Sequence, residues 1–214
     1  MDIVNRDVEA YMRELQARHD EPVLLEMEAY AHKHHFPIVD RLVGATLEVL
    51  ARTLGARRVV ELGSGFGYSG YWFSRAIGPD GELHLTDLDP ENREMALDRL
   101  GRAALDGPVE FHVGDALEVF RSLPGGWDIV YNDIDKEEYP DAWRAARDRI
   151  RVGGLYLCDN VLWYGKVTGE TDDGRRAEST RAIVEHNRLI AADEGYLSTI
   201  VPTRDGVMVA VRVA

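Results

Sequence analysis

The sequence predicts an α/β fold: a seven-stranded, mostly parallel sheet with helices on both faces, extra helices at the N-terminus and an antiparallel hairpin at the C-terminus. Three observations carry this expectation. Beyond about residue 55, short β-branched runs alternate with amphipathic stretches, which is the pattern of βαβ units and hence of a parallel sheet. The last two strand-like runs, GYLSTIVP and GVMVAVRVA, are separated only by Thr203-Arg204-Asp205, too short a connection to cross over to a parallel neighbour. Before residue 55 the pattern is helical throughout.

Taken in order, the stretch from Asp2 to about Leu54 breaks at Asp20-Glu21-Pro22 and again at Phe36-Pro37, because proline lacks the donor a helix interior needs. Three helical pieces result. The third is the clearest, with Val39, Leu42, Val43, Thr46, Leu47, Leu50 and Leu54 recurring at three- and four-residue steps. RRVVEL then reads as a strand leading to a helix from about Tyr68, and ELHLTD as a strand leading to a helix from Pro90. VEFHV precedes a short helix, WDIVYN a helix near Tyr139 to Ile150, and GLYLCD a helix within Arg175 to Ala192. With no internal repeat or long linker, residues 1–214 read as one domain, a helical segment 1–55 leading into an α/β core 56–214.

Composition narrows the function. A chain of 214 residues, 45% hydrophobic and 29% charged, is that of an ordinary globular protein, and no apolar run approaches the roughly 18 residues of a membrane span. The opening MDIVNRDVEAYMRELQARHDEP is charged throughout and lacks a signal peptide's apolar core, so a cytoplasmic protein is expected. The net charge of -13 argues against nucleic acid or an anionic membrane as partner and leaves a small molecule. Cys158 has no second cysteine to pair with and, in LYLCDN, reads as a small buried residue. Of 25 basic residues only Lys33, Lys136 and Lys166 are lysine, whose amine can give up a proton where a guanidinium does not.

The first strand runs into Glu61-Leu62-Gly63-Ser64-Gly65-Phe66-Gly67, a loop that lets a ligand approach the backbone at a helix N-terminus. Its GxGxG spacing is not the GxGxxG of dinucleotide sites. An acid at Glu61 would repel a pyrophosphate but suit a ligand carrying ammonium and sulfonium charge, which favours S-adenosylmethionine over NAD. Asp87, ending the second strand twenty positions after Gly67, can accept both hydroxyls of a ribose, and Asp115, after the third, is placed to edge an adenine. The fourth strand delivers Asp133 and Asp135, and the fifth delivers Asp159 and Asn160, to the same end of the sheet. Oxygen ligands without Cys or His suit Mg²⁺, Ca²⁺ or Mn²⁺ rather than zinc.

The segments ELGSGFGYSG, LTDLDP, GDA, NDIDKEEY and CDNVLWYGKV, with the closing DGVMVAVR, resemble the cation-dependent O-methyltransferases that include caffeoyl-coenzyme A and catechol O-methyltransferases. The likeness runs from about Phe36 to the C-terminus, and the N-terminal helices are more similar to bacterial members than to plant ones. The resemblance implies a Rossmann-like class I methyltransferase fold, S-adenosylmethionine and a divalent cation as cofactors, and a homodimer. It implies metal ligands at Asp133, Asp159 and Asn160, and a methyl-donor site at Val39, Glu61, Gly63, Ser64, Ser69, Asp87, Ala116 and Asp133. Lys136 falls where catechol enzymes have their proposed base. Two positions depart from the family pattern: Asn132 replaces an apolar residue, and bulky Ile134 replaces Ala.

Methyl transfer from a sulfonium is an in-line displacement that needs a deprotonated oxygen held near the methyl carbon. The resemblance implies a catechol-like aromatic acceptor whose two hydroxyls would chelate the metal; Trp163 and Tyr164 read equally as walls for its ring or as hydrophobic packing. The competing readings are an NAD-dependent oxidoreductase and a non-catalytic ligand-binding protein on the same fold. Among His32, His34 and His35, helical spacing places 32 and 35 on one face and 34 off it, and no matching Cys or His cluster suggests a metal site there. His186 reads as structural or surface, and Asp135 as either a carboxylate behind the metal ligands or a helix cap.

Overall fold

Caps and breakers set the N-terminal helices where the sequence places them. The computed structural model describes residues 5–17, 20–103, 105, 107–169 and 177–214, and of Arg6 only the backbone. Helix α1 (Arg6–Leu15) starts at Asn5, whose side chain accepts from the Asp7 and Val8 N–H groups. Helix α2 (Pro22–His34) opens on a proline and stops at His35, which is left-handed at φ 52°. The helical face expected to join His32 and His35 therefore does not exist, because the chain leaves the helix before the second of them. Helix α3 (Arg41–Leu54) is capped by Asp40, whose carboxylate accepts from Leu42 and Val43, and it ends at the left-handed Gly55.

The sheet has seven strands: β1 (Arg58–Leu62), β2 (Glu82–Asp87), β3 (Val109–Val113), β4 (Trp127–Asn132), β5 (Ile150–Cys158), β6 (Tyr196–Val201) and β7 (Val207–Arg212), in the order β3-β2-β1-β4-β5-β7-β6. Strands β1 to β5 run parallel, and β7 is antiparallel to both its neighbours, so it is the single reversed strand. The crossover helices are α4 (Tyr68–Ile77), α5 (Pro90–Arg102), α6 (Ala116–Ser122), α7 (Tyr139–Ala146) and α8 (Ala177–Ala191). One boundary differs from expectation. Helix α7 ends at Ala146 rather than Ile150, because Ile150 already pairs with Trp127 as the first residue of a long β5.

The sheet separates two cores. On one face Val59, Leu83, Leu85, Phe111, Ile129 and Leu157 pack with Leu24, Met27, Leu47, Trp72 and Phe73 from the helices. On the other, Val60, Val130, Tyr156 and Cys158 pack with Trp143, Ile183 and Ile190. Every residue of β4 is buried, as a parallel strand covered on both faces requires. The strand order reverses direction between β1 and β4, and the crevice beyond the carboxyl ends of strands at such a switch point is where ligands bind in open α/β sheets. Among the described residues no helix is long and apolar enough to cross a membrane.

Candidate active site

A cleft of about 1150 Å³ opens at that switch point. It is lined by Val39, Gly63, Ser64, Gly65, Ser69, Asp87, Asp115, Ala116, Asp133, Lys136, Asp159, Asn160, Trp163 and Tyr164, so nearly every residue singled out from sequence meets in one place. Glu61 is the exception, since its fully buried side chain lies beneath the glycine loop and off the cleft wall.

The loop's shape follows from its glycines and from β2. Gly63 is left-handed at φ 80°, and a Cβ there would sit 2.6 Å from the backbone oxygen of Asp133, so both conformation and space demand glycine. Gly63 N–H donates to Thr86 Oγ1 at 3.1 Å, Ser64 N–H to the Thr86 carbonyl at 2.7 Å, and Thr86 N–H back to Ser64 Oγ at 3.0 Å. Asp87 Oδ2 accepts from Gly65 N–H at 3.0 Å, while its Oδ1 accepts from Asp89 N–H and Asn92 Nδ2, both at 2.9 Å. A carboxylate held on both oxygens cannot swing away from a ligand. Asp115 is fixed in another way, as the cap of α6 through Glu118 N–H at 2.8 Å.

Below the loop, Glu61 accepts from the Ser69 hydroxyl, and its second oxygen has no hydrogen-bond partner among the described residues. Burial pushes its pKa up to about 8 against the Ser69 bond, and the charges of Asp133 and Asp87 add to the rise. This carboxyl is a poorly compensated acid directly under the site where a cationic ligand is expected.

The charged strand ends come together through backbone bonds between neighbours. Asp133 N–H donates to the Leu62 carbonyl at 2.9 Å and Asp159 N–H to the Asn132 carbonyl at 3.3 Å, which sets the ends of β1, β4 and β5 side by side. Lys136 Nζ reaches Asp133 Oδ1 at 3.0 Å and the Ile134 carbonyl at 3.3 Å, 4.9 Å above the Tyr139 ring centre. Asp159 is 4% exposed and its Oδ1 is without a partner among the described residues. Burial raises its pKa to about 8, with repulsion from Asp133 next. Asp133 is raised too, by burial, although Lys136 opposes the shift. Asn160, left-handed at φ 57°, donates from Nδ2 to Asp159 Oδ2 at 3.3 Å. A buried and a half-buried carboxylate, the second paired with an ammonium, beside an amide and an oxygen with no partner among the described residues, form a donor set that fits a hard dication.

Other residues stand as follows. Trp163 is buried and Tyr164 more than half exposed, both in left-handed backbone on the cleft wall. Ile134 also lines the cleft, and Asn132 is buried beneath, its Nδ2 donating to Cys158 Sγ at 3.3 Å. Asp135 is exposed at the start of a short 3-10 turn, Lys136–Glu138, and makes no side-chain cap bond. His32, His34 and His35 are exposed, with His32 at the cleft rim and His34 stacked on Tyr30. His186 is buried, hydrogen-bonded to Tyr156 at 3.1 Å, and burial lowers its pKa to about 4. It is a neutral core histidine.

Sequence reasoning missed the far wall. Asp205, in the β6–β7 turn, is buried, accepts from Tyr164 N–H and lies close enough to Asp159 to raise its pKa. Its signal was present in DGVMVAVR as an acid before a turn glycine. Above it, Arg204 faces Glu9 and Asp40, both at 3.5 Å, while Arg13 pairs with the same two acids. Arg41 binds Glu28, which also accepts from the Tyr68 hydroxyl at 2.8 Å. No local motif marks these residues, because the N-terminal helices reach the site only through tertiary packing.

Sheet order, the GxGxG loop and acids at successive strand ends define a Rossmann-like methyltransferase. Residues 13–213 match the family model described as O-methyltransferase, and the chain belongs to that family. It is similar to a Mycolicibacterium smegmatis protein whose name places it among O-methyltransferases, 36% identical over 172 residues, 79% of this chain and 80% of the relative. It is also similar to caffeoyl-CoA O-methyltransferase 2 of Petunia hybrida, 29% identical, covering 92% of this chain and 86% of the relative. The crystal structure of the O-methyltransferase TomG of Streptomyces achromogenes, in complex with SAM, superposes with a TM-score of 0.82 at 27% identity over 91% of each chain. The protein is an S-adenosylmethionine-dependent O-methyltransferase.

Proposed function

We propose that this enzyme methylates one hydroxyl of a catechol-like aromatic and does so with a divalent cation, Mg²⁺ first among Mg²⁺, Ca²⁺ and Mn²⁺, held by Asp133, Asp159 and Asn160. The observation that carries the reading is the buried Asp159 Oδ1, without a partner among the described residues, beside a second raised carboxylate. Such a pair is unfavourable until a cation answers it.

When bound, S-adenosylmethionine supplies an electrophilic methyl group and the dication a Lewis acid and template for adjacent hydroxyls. The chain's own residues do the rest. The stapled glycine loop and Asp87 fix the donor's nucleoside end, and Asp115 and Ala116 border its base. Glu61 lends negative potential from below, where the ammonium and sulfonium charges favour it. Trp163 and Tyr164 flank the acceptor ring and help exclude water. Lys136 would stand at the acceptor oxygen. A phenol, with pKa near about 10, keeps its proton at neutral pH unless a base takes it. Burial works against the Lys136 ammonium, but Asp133 at 3.0 Å outweighs it and raises the pKa. With the Asp133 carboxylate committed elsewhere, Lys136 Nζ loses that support and becomes able to accept the proton.

The test is turnover of labelled S-adenosylmethionine against a panel of vicinal diols and their monohydroxy analogues, with Mg²⁺ or with EDTA. Methylation confined to diols and abolished by EDTA is expected, as is its loss in Asp159→Ala. Equal rates on monohydroxy compounds, or rates indifferent to EDTA, would overturn the reading.

A further inference from the structure

A second cluster of metal-binding side chains lies away from the cleft, on the β2–β3 edge of the sheet. We propose that His84, Glu110 and His112 form a binding site for a transition-metal dication of the zinc class, distinct in donor chemistry from the oxygen site at the ends of β4 and β5.

The placement follows from strand register. His84 pairs with Glu110 across parallel strands, and side chains two apart share a face, so Glu82, His84, Glu110 and His112 all project from one side. Helix α6, on that side, is only seven residues long. Among the described residues this is the one group of three His, Cys, Asp or Glu whose ligand atoms all lie within 4.8 Å of one another. His84 Nδ1 and His112 Nε2 are 3.0 Å apart, and Glu110 Oε2 is 3.8 Å from the first and 4.0 Å from the second. A point equidistant from three atoms so spaced lies about 2.1 Å from each, which is the zinc–nitrogen and zinc–oxygen distance. Two imidazoles and one carboxylate select Zn²⁺, Ni²⁺ or Cu²⁺ over Mg²⁺.

The surroundings are those of a built site. Ligating histidines characteristically present their other ring nitrogen to a carboxylate, which fixes the tautomer. Glu82 Oε1 lies 3.5 Å from His84 Nε2 and is itself held by Arg58 at 2.8 Å. A proton on Nε2 leaves Nδ1 free to face Glu110 and His112. The His84 ring, 7% exposed, is braced edge-on by Trp127 at 5.1 Å, and Arg58 covers that indole at 4.7 Å. Glu110 is exposed and gives an ion its way in. In the metal-free chain the two ring nitrogens share one hydrogen bond; a dication would take both lone pairs, the shared proton moving to the other nitrogen of its own ring. Because β3 has a neighbour on one side only, the ion would pin this edge strand to β2.

The experiment is calorimetric titration of the intact protein with Zn²⁺ in millimolar Mg²⁺, which keeps the oxygen site from competing. One zinc per chain with micromolar or tighter Kd is expected. His112→Ala and His112→Gln should each weaken binding at least a hundredfold, the glutamine guarding against a folding defect because it can still hydrogen-bond His84. Glu82→Gln should weaken it about 10- to 100-fold, and His32→Ala should leave it unchanged. Zinc at a hundredfold excess over Kd should raise the wild-type Tm by roughly 5 °C or more and leave both His112 variants unmoved. No zinc on the wild type, or equal affinity in the His112 variants, overturns the proposal.

Discussion

Replacing Glu61 by glutamine is expected to make the ligand-free protein more stable at pH 8 while weakening its hold on the methyl donor. Glu61 is fully buried, and burial, reinforced by Asp133 and Asp87 and opposed by Ser69, raises its pKa to about 8. In the unfolded chain the carboxyl titrates near about 4.3. Between those values the folded state binds more protons than the unfolded one, so stability falls as pH rises from about 4 to about 8 and levels off above. A rise of between three and four pH units corresponds to roughly 5 kcal/mol of destabilisation at the upper end. Glutamine keeps the shape and the Ser69 contact but leaves a buried amide partly unsatisfied, which costs about 1–3 kcal/mol. The net gain at pH 8 is on the order of 2 kcal/mol, a Tm increase of about 4–8 °C for a chain of this size. By pH 5 the wild-type carboxyl is protonated, the gain is gone and the order of stabilities reverses. Loss of a nearby anion should weaken donor binding by about tenfold, from a screened attraction of roughly 1–2 kcal/mol. Thermal melts in EDTA from pH 5 to 9, with calorimetric titration of S-adenosylmethionine at pH 8, measure both effects. A variant that melts below wild type at every pH, on a parallel curve, would show that Glu61 is a stabilising anion and refute the reasoning.

Gly63→Ala should lower stability by about 3 kcal/mol and weaken donor binding sharply, since it combines a left-handed alanine with a Cβ pressed on the Asp133 carbonyl; a melt within 2 °C of wild type would contradict this. Lys136→Gln should reduce kcat by 10²–10⁴ with donor affinity changed less than about threefold, the magnitude of a lost general base; kcat within fivefold of wild type would remove Lys136 from the chemistry. Asp205→Ala deprives the Tyr164 N–H of its acceptor and should raise acceptor KM with little change in donor Kd, at a stability loss of about 1–3 kcal/mol. Arg204→Ala removes ion pairs with an exposed arginine and should shift stability by less than about 1 kcal/mol.

Much of this protein is written in short stretches of its sequence. The breaks at Pro22 and Pro37 and the alternation of β-branched runs with amphipathic segments act over a few residues, so the helices and strands fall close to where the pattern puts them. The glycine loop, Asp87, Asp133, Lys136, Asp159 and Asn160 were legible for the same reason, because a parallel sheet carries the end of every forward strand to one side. The sequence could not say where α2 would end, and so put His35 on a helix face with His32 that the chain leaves before reaching it. Nor could it show that Glu61 would lie beneath the loop, that Asp205 would join the acids from a distant hairpin, or that Arg13 and Arg204 would meet over Asp40. His84, Glu110 and His112 passed unnoticed because their proximity depends on the register of β2 against β3. Local pattern determines which elements form, since propensity and capping act between near neighbours; only tertiary packing decides which far-apart side chains share a site, since register and burial join residues with no local relation.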